Sequence, residues 1–345
     1  MTIRDRSRTA KQGQAAVILA ASVILSVAML LSGCSGEARY AACSFISMDT
    51  LVEIKIDAAT PDAEAVLKRC RGITEEQRLL YDADDPASAL SALNAVLDGK
   101  AAAVPADLEK VIAAAAGVQR DSRGAFSIFL RDVILKWKSA GTSDTPPERE
   151  ELAELLPDPS SYAEYVHGAL TLPAGCRRID LGGIAKGAAE ESVVEYLKAA
   201  GASYGILSFG GNIAVFGEKP GGGGFVIGIR DPDDGRKTVG TVELDSGYVS
   251  VSGDYERYYE IGGERYHHIL DPADGYPAES GLRSVAVIAS DGTLADALST
   301  ALFVMGKERA LELYESGKYE FEAVFVTDGG VSATPGLEGR FEPSR

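Results

Sequence analysis

The chain has 345 residues, and its 51 acidic against 34 basic side chains give a formal charge of −17 at neutral pH. So acidic a surface repels nucleic acid and anionic lipid headgroups, which excludes a function built on a basic patch; an anionic substrate needs a local cation. The four cysteines, Cys34, Cys43, Cys70 and Cys176, show no C-x-x-C spacing, so neither a zinc module nor a disulfide scaffold can be read from them.

Residues 1–33 begin with Arg4, Arg6, Arg8 and Lys11, continue as an almost unbroken apolar run from Ala15 to Leu31, and end on Ser32-Gly33 before Cys34. A basic start, an apolar core and small residues at the exit are the layout of a secretory signal peptide. The run of about 17 residues is at the lower limit for spanning a bilayer. Its end resembles a lipobox, which implies a lipoprotein with Cys34 as the acylated residue, palmitate among its chains, and a membrane-anchored domain facing outside the cytoplasm. The alternative is an uncleaved signal anchor. Residues 34–44 then read as a short lipidated tether, and 45–345 as the folded domain.

In chain order, alternation predicts a strand over 45–56, with Val52, Ile54 and Ile56 on one side. Apolar spacing at Ala65, Leu67, Cys70 and Ile73 predicts a helix over 61–80, and Pro105-Ala106-Asp107 opens a second over 105–118. Residues 141–159, rich in Pro, Glu, Asp and Ser, read as a surface excursion. A strand ending at Asp180, a glycine turn and a helix over 185–200 follow. Short strands are expected at 204–209, 225–230, 239–244, 248–252, 255–261 and 284–289, joined by turn signals that favour antiparallel hairpins. A helix over 294–305 and a strand over 323–327 complete an α+β pattern.

Several segments could carry chemistry. Gly182-Gly183 precedes a helix, where bare backbone N–H groups can hold an anion. Lys186 stands in that helix's first turn, where a cation opposes the dipole, so an anionic ligand and a purely structural role weigh evenly. Gly210-Gly211-Asn212 allows close approach of a ligand or simply a tight turn. Gly221–Gly224 reads as flexible linkage. Asp296 and Thr300, four apart on one helix face, offer hard oxygens suited to Mg²⁺. The competing reading has Asp296 capping the helix and Thr300 bonding back to a carbonyl. His267 and His268 are adjacent, so one faces in and the other out if the segment is a strand.

Asp180-Leu-Gly-Gly-Ile-Ala-Lys-Gly187, Gly210-Gly-Asn212, Ser252-Gly-Asp-Tyr-Glu-Arg257, Tyr266-His-His-Ile-Leu-Asp-Pro272 with Gly275-Tyr-Pro277, and Asp296-Ala-Leu-Ser-Thr-Ala301 occur in that order. Together they resemble the ApbE family of FAD:protein FMN transferases over residues 45 to 340. The resemblance implies a two-lobed α+β fold with mixed or antiparallel sheets, flanking helices and a flavin cleft between the lobes. It implies FAD as substrate, Mg²⁺ as cofactor, AMP as leaving group, and FMN esterified to a threonine of an acceptor flavoprotein carrying an Asp…Ser/Thr-Gly-Ala-Thr stretch. By position, Asp296, Thr300 and the carbonyl of Gly183 match metal ligands. Met48, Tyr81, Ala125, Phe126, Ser127, Asp180, Lys186 and Ile269 match flavin-nucleotide contacts, and His268 matches the base, with His267 its outward neighbour.

Two departures stand out: Ser127 where the family has Asp, and Asp49 where it commonly has Gly. The segment from Asp328 to Thr334 partly matches the acceptor pattern, although a hairpin turn is the favoured reading. Two other functions share the site: an FAD pyrophosphatase giving FMN and AMP, and a non-enzymatic FAD-binding lipoprotein. A metal site and a base argue against the latter.

Overall fold

The computed structural model describes residues 38–97, 102–157, 162, 164–172 and 176–344. The signal segment, Cys34 and the first part of the tether lie outside the described residues.

The predicted first strand is two. β1 (Tyr40–Ser47) and β2 (Thr50–Asp57) pair antiparallel around Met48-Asp49, both at positive φ (51° and 58°). Two left-handed central residues give a turn whose twist matches the strands, but Asn-Gly is its usual signal, and Met-Asp hides it inside continuous alternation. α1 (Ala63–Tyr81) matches the expected helix. α2 (Ala89–Leu97), the short β3 (Ala102–Ala103), α3 (Ala106–Asp121), α4 (Arg131–Ser143) and α5 (Arg149–Ala153) follow, with β4 (Glu164–Val166) and β5 (Ala169–Thr171) beside β3. The expected surface excursion at 141–159 is therefore partly helical, and Leu152 within it is fully buried.

Among the described residues, the segment from Cys176 to Asp180 is not a strand. The chain there is held by Asp180 N–H donating to Ile128 O at 2.7 Å. α6 (Ala185–Ala199) and β6 (Tyr204–Phe209) agree with the sequence. β7 (Asn212–Gly217) was not expected; it turns back from β6 at Gly210, whose φ is 72°. Next come β8 (Phe225–Arg230), β9 (Thr238–Leu244), β10 (Gly247–Gly253), β11 (Tyr258–Ile261), β12 (Glu264–His267) and β13 (Ser284–Ala289). α7 (Gly292–Glu315) is two helices run together across Gly306, whose φ of 74° breaks the helix, so the first ends at Met305 as predicted and the second, up to Glu315, was not expected. β14 (Phe321–Thr327), β15 (Gly330–Ala333), a single 3₁₀ turn and β16 (Phe341–Pro343) close the chain. Thr334 is buried and its hydroxyl bonds Glu322 and Ala323, so the acceptor-like segment is the β14–β15 hairpin.

Eight strands form one fully antiparallel sheet in the order β1-β2-β6-β7-β10-β13-β14-β15. One face packs on α1, α6 and α7, with α3 against α7 behind them, through Val52, Ile54, Leu207, Phe209, Val285 and Phe325. The other is covered by the small sheet β16-β9-β8 through Val215, Val249, Ile227, Ile229 and Val242. A smaller lobe gathers α4, α5 and the β11–β12 hairpin around Trp137, Leu152, Ile261 and Leu270. Trp137 Nε1 donates to Gly275 O at 2.8 Å, tying this lobe to the turn after His268. Burial pushes the Cys70 and Cys176 thiols up to about 12, as expected of apolar-core thiols.

Candidate active site

The α6–α7 crossing decides the geometry. A Cβ on Gly187 would stand 2.0 Å from Gly292 O and 2.8 Å from Asp296 Cβ, so only glycine lets the two helices approach this closely. Gly187 N–H then donates to Asp296 Oδ2 at 3.0 Å, and Lys186 Nζ lies 3.6 Å from Asp296 Oδ1. Asp296 is not a cap: Asp291 caps α7, its side chain accepting from Leu294 N–H at 2.8 Å. Asp296 is instead an interior carboxylate, 3% exposed. Ser250 Oγ lies 3.1 Å from Asp296 Oδ1, 2.9 Å from Asn212 Oδ1 and 3.2 Å from Ser299 Oγ, and its one hydrogen serves one of them at a time.

Thr300 Oγ1 is 3.5 Å from Asp296 O, the limit for a hydrogen bond, so its hydroxyl is only weakly committed to the helix. A Cβ on Gly183 would be 3.3 Å from Thr300 Oγ1 and 3.2 Å from Phe126. The fold thus brings Gly183, Thr300, Asp296, Lys186 and Phe126 together. Among the described residues no group of three or more His, Cys, Asp or Glu side chains is placed to hold a metal. What is present is one carboxylate, one hydroxyl and a bare backbone beside them. That hard-oxygen set fits Mg²⁺, which takes one or two carboxylates and keeps places for water and phosphate oxygens.

The remaining expected contacts are scattered more widely. Ala125 and Phe126 are buried, Ile269 sits in the core, and Ser127 Oγ accepts from Phe129 N–H at 3.2 Å, shaping a local turn. Asp180 has both oxygens engaged, Oδ1 by Gly182 N–H at 2.8 Å and Oδ2 by Arg131 at 3.2 Å. Met48 lies in the β1–β2 turn. Tyr81 lines a separate cavity of about 230 Å³ with Asp107, Lys110 and Glu191, and burial pushes its phenol up to about 12. A larger hollow of about 470 Å³, lined by Leu244, Tyr319 and Arg340, contains none of the expected residues.

The two histidines are arranged opposite to expectation for the outward one. His267, at the end of β12, turns inward: its ring meets Phe303 edge-on at 5.5 Å and Nε2 lies 3.2 Å from Ala278 O. His268 keeps a water-accessible face. Its backbone N–H donates to Arg257 O, and Nδ1 lies 3.1 Å from the same oxygen. A carbonyl can only accept, so this contact assigns the proton to Nδ1 and leaves Nε2 as the free lone pair. The surrounding protein, then the Arg257 guanidinium, push the His268 pKa down to about 3, so the ring is neutral near pH 7.

Arg257 also reaches across to donate from Nη2 to Asp49 O at 3.1 Å, joining the β1–β2 turn to the histidine segment. The Glu256 carboxyl lies against Gly211, 2.7 Å from where a Cβ there would stand, and burial pushes it above its ordinary range against the opposing pull of Lys186. Sequence reasoning missed Glu190. It is fully buried on α6, burial and the nearby Asp296 raise its carboxyl well above the ordinary range, and Oε1 has no hydrogen-bond partner among the described residues. The signal available was helical phase, since Glu190 falls in step with the buried Val193, Val194 and Leu197.

A buried carboxylate, a neighbouring hydroxyl, a lysine and a neutral histidine on an α+β scaffold are the equipment of a group-transfer site acting on phosphate. The ApbE family's sequence profile matches residues 48–325. The FAD:protein FMN transferase of Treponema pallidum is 30% identical over 92% of this chain and 94% of its own length. That of Haemophilus influenzae is 28% identical over 90% and 94%. Among solved structures, the ApbE protein of Thermotoga maritima superposes with a TM-score of 0.78 at 29% identity, covering 88% of this chain and 99% of that one. The flavin transferase ApbE of Vibrio cholerae superposes at 0.76 with 25% identity, covering 88% and 100%. The chain belongs to the ApbE family.

Proposed function

We propose that this chain is a transferase that moves FMN from FAD onto a threonine hydroxyl of a partner protein, releasing AMP, and that it works lipid-anchored through Cys34 outside the cytoplasm. The observation that carries the reading is the meeting of Asp296, Thr300 and Gly183 beside Lys186, in the same fold that leaves His268 neutral with Nε2 free. The family relatives are FAD:protein FMN transferases by name, which supports FAD as substrate and a protein as acceptor.

In this reading Asp296, Thr300 and the Gly183 carbonyl hold Mg²⁺, which when bound offsets charge on the pyrophosphate oxygens. Lys186 supplies a second positive charge at the phosphates. His268 Nε2 takes the proton from the threonine hydroxyl as its oxygen bonds the FMN phosphorus. The phosphorus–oxygen bond to AMP breaks, and the electron pair leaves with the AMP phosphate. A carbonyl-held imidazole is aligned for this before the acceptor arrives.

The test incubates the full chain with FAD, Mg²⁺ and a protein bearing an Asp…Ser/Thr-Gly-Ala-Thr stretch. Flavin fluorescence on a denaturing gel with matching AMP is the expected result. AMP and free FMN without labelled acceptor would instead identify a pyrophosphatase, and no AMP under any condition would leave a binding protein. Anchoring rests on residues 1–34. Cys34→Ala is expected to stop incorporation of labelled fatty acid and leave unprocessed precursor, and label persisting on the mutant would remove that part of the reading.

A further inference from the structure

Arg131 opens α4 and is 5% exposed, an unusual position for a permanent charge unless it is fully partnered. Its partners come from two other segments. Nη1 donates to Asp180 Oδ2 at 3.2 Å, while Nη2 donates to Asp84 Oδ1 at 2.5 Å and to Ala83 O at 3.0 Å. Asp180 in turn uses its other oxygen to hold Gly182 N–H, the start of the turn that sets Gly183 against Thr300. We propose that Arg131 is a positioning residue for the cation: by clamping Asp180 it fixes the Gly182-Gly183 turn and aims the Gly183 carbonyl at the space beside Asp296 and Thr300. The inference rests on the metal reading of those three residues.

The surrounding bonds make the clamp's role separable from general scaffolding. Asp84 is also paired with Lys138, so the loop after α1 keeps a tether if Arg131 is lost. Asn94 exchanges two hydrogen bonds with the backbone of Ile179, at 2.9 and 2.8 Å, and Arg178 pairs with Asp132 of α4, so the chain leading into the turn also stays in place. Among the described residues Asp180 has no other cationic partner than Arg131. Removing the guanidinium therefore frees the Asp180 carboxylate in particular, and with it the direction of the glycine turn. Partners one step removed from a ligand typically tune metal affinity by roughly 10- to 100-fold.

The experiment measures Mn²⁺ binding to the full chain saturated with FAD, by loss of the free-ion electron paramagnetic resonance signal, with no acceptor present. FAD binding is measured separately in excess chelator by flavin anisotropy. Arg131→Met is expected to weaken Mn²⁺ binding about tenfold or more while FAD binding in chelator changes little, and Arg131→Lys, which keeps one charged donor, is expected to recover part of the loss. Arg131→Gln keeps a neutral donor but loses the ion pair. It should weaken Mn²⁺ in the same direction, and serves in place of Arg131→Met should that protein not fold. Unchanged Mn²⁺ affinity in both variants, or equal losses of Mn²⁺ and FAD affinity, would overturn the inference while leaving the metal site standing. Wild-type protein that binds no Mn²⁺ would overturn the metal reading and this inference together.

Discussion

On the face of the eight-stranded sheet toward β8 and β9, Val215, Val249, Ala286 and Val324 form one buried apolar cluster with Ile227, Ile229, Val242 and Leu244. On the face toward α6 and α7, the same strands β7 and β10 present Asn212, Ser250 and Ser252 to Ser299, Asp296 and Glu190, all buried. The first face gains stability from area removed from water. The second carries polar groups whose burial costs free energy unless they are bonded, and among the described residues Glu190 Oε1 and Asn212 Nδ2 have no hydrogen-bond partner. Adjacent positions on one strand thus serve opposite ends, and a substitution's effect should depend on the face it touches.

The largest effect is expected at Asp296. Replacing it with Ala should abolish flavin transfer with the fold retained by circular dichroism, because it removes a charged group and creates no apolar cavity; full turnover in that variant, or in wild type under excess chelator, would erase the distinction between the faces. Next, His268→Ala should lower the transfer rate by roughly 10² to 10⁴, the usual contribution of a general base. Because the His268 pKa is depressed to about 3, the free-enzyme kcat/KM profile should lack an acid limb near pH 6.5. A limb there, absent from the mutant, would contradict the neutral-ring assignment.

On the apolar face the effect should move from rate to stability. Ile229→Ala is expected to cost about 2–5 kcal/mol in urea unfolding, with unchanged turnover per folded molecule; a rate defect there would mean that the faces are coupled. The smallest effect is expected at Glu190. Its folded carboxyl titrates above the ordinary 4.5, so the folded protein retains a proton that the unfolded chain releases, and stability falls as pH rises above that value. Glu190→Gln cannot ionise, so its urea midpoint should gain on wild type between pH 4.5 and 7.5. A gap that stays constant across this range would argue against a buried neutral acid.

Much of this division was legible in the sequence. Alternation and turn chemistry located β6, β8, β9, β10, β13 and β14, and the spacing from Asp180 to Gly187 and from Asp296 to Thr300 named residues that the fold does bring together. What escaped did so for physical reasons. Met48-Asp49 adopts a left-handed turn without glycine, so no local signal interrupted the strand. The order of facing at His267 and His268 depends on where β12 ends against Phe303, a tertiary fact. α5 is short and polar, and only its single buried Leu152 betrays that it packs.

β1 begins at Tyr40 and delivers the chain, eight residues later, to the turn that Arg257 grips beside His268. At about 3.3 Å per residue the strand is a strut of roughly 25 Å, so a pull on its first residue is transmitted along the hydrogen-bonded ladder with β2 to the Met48-Asp49 turn and, through Arg257, to the histidine segment.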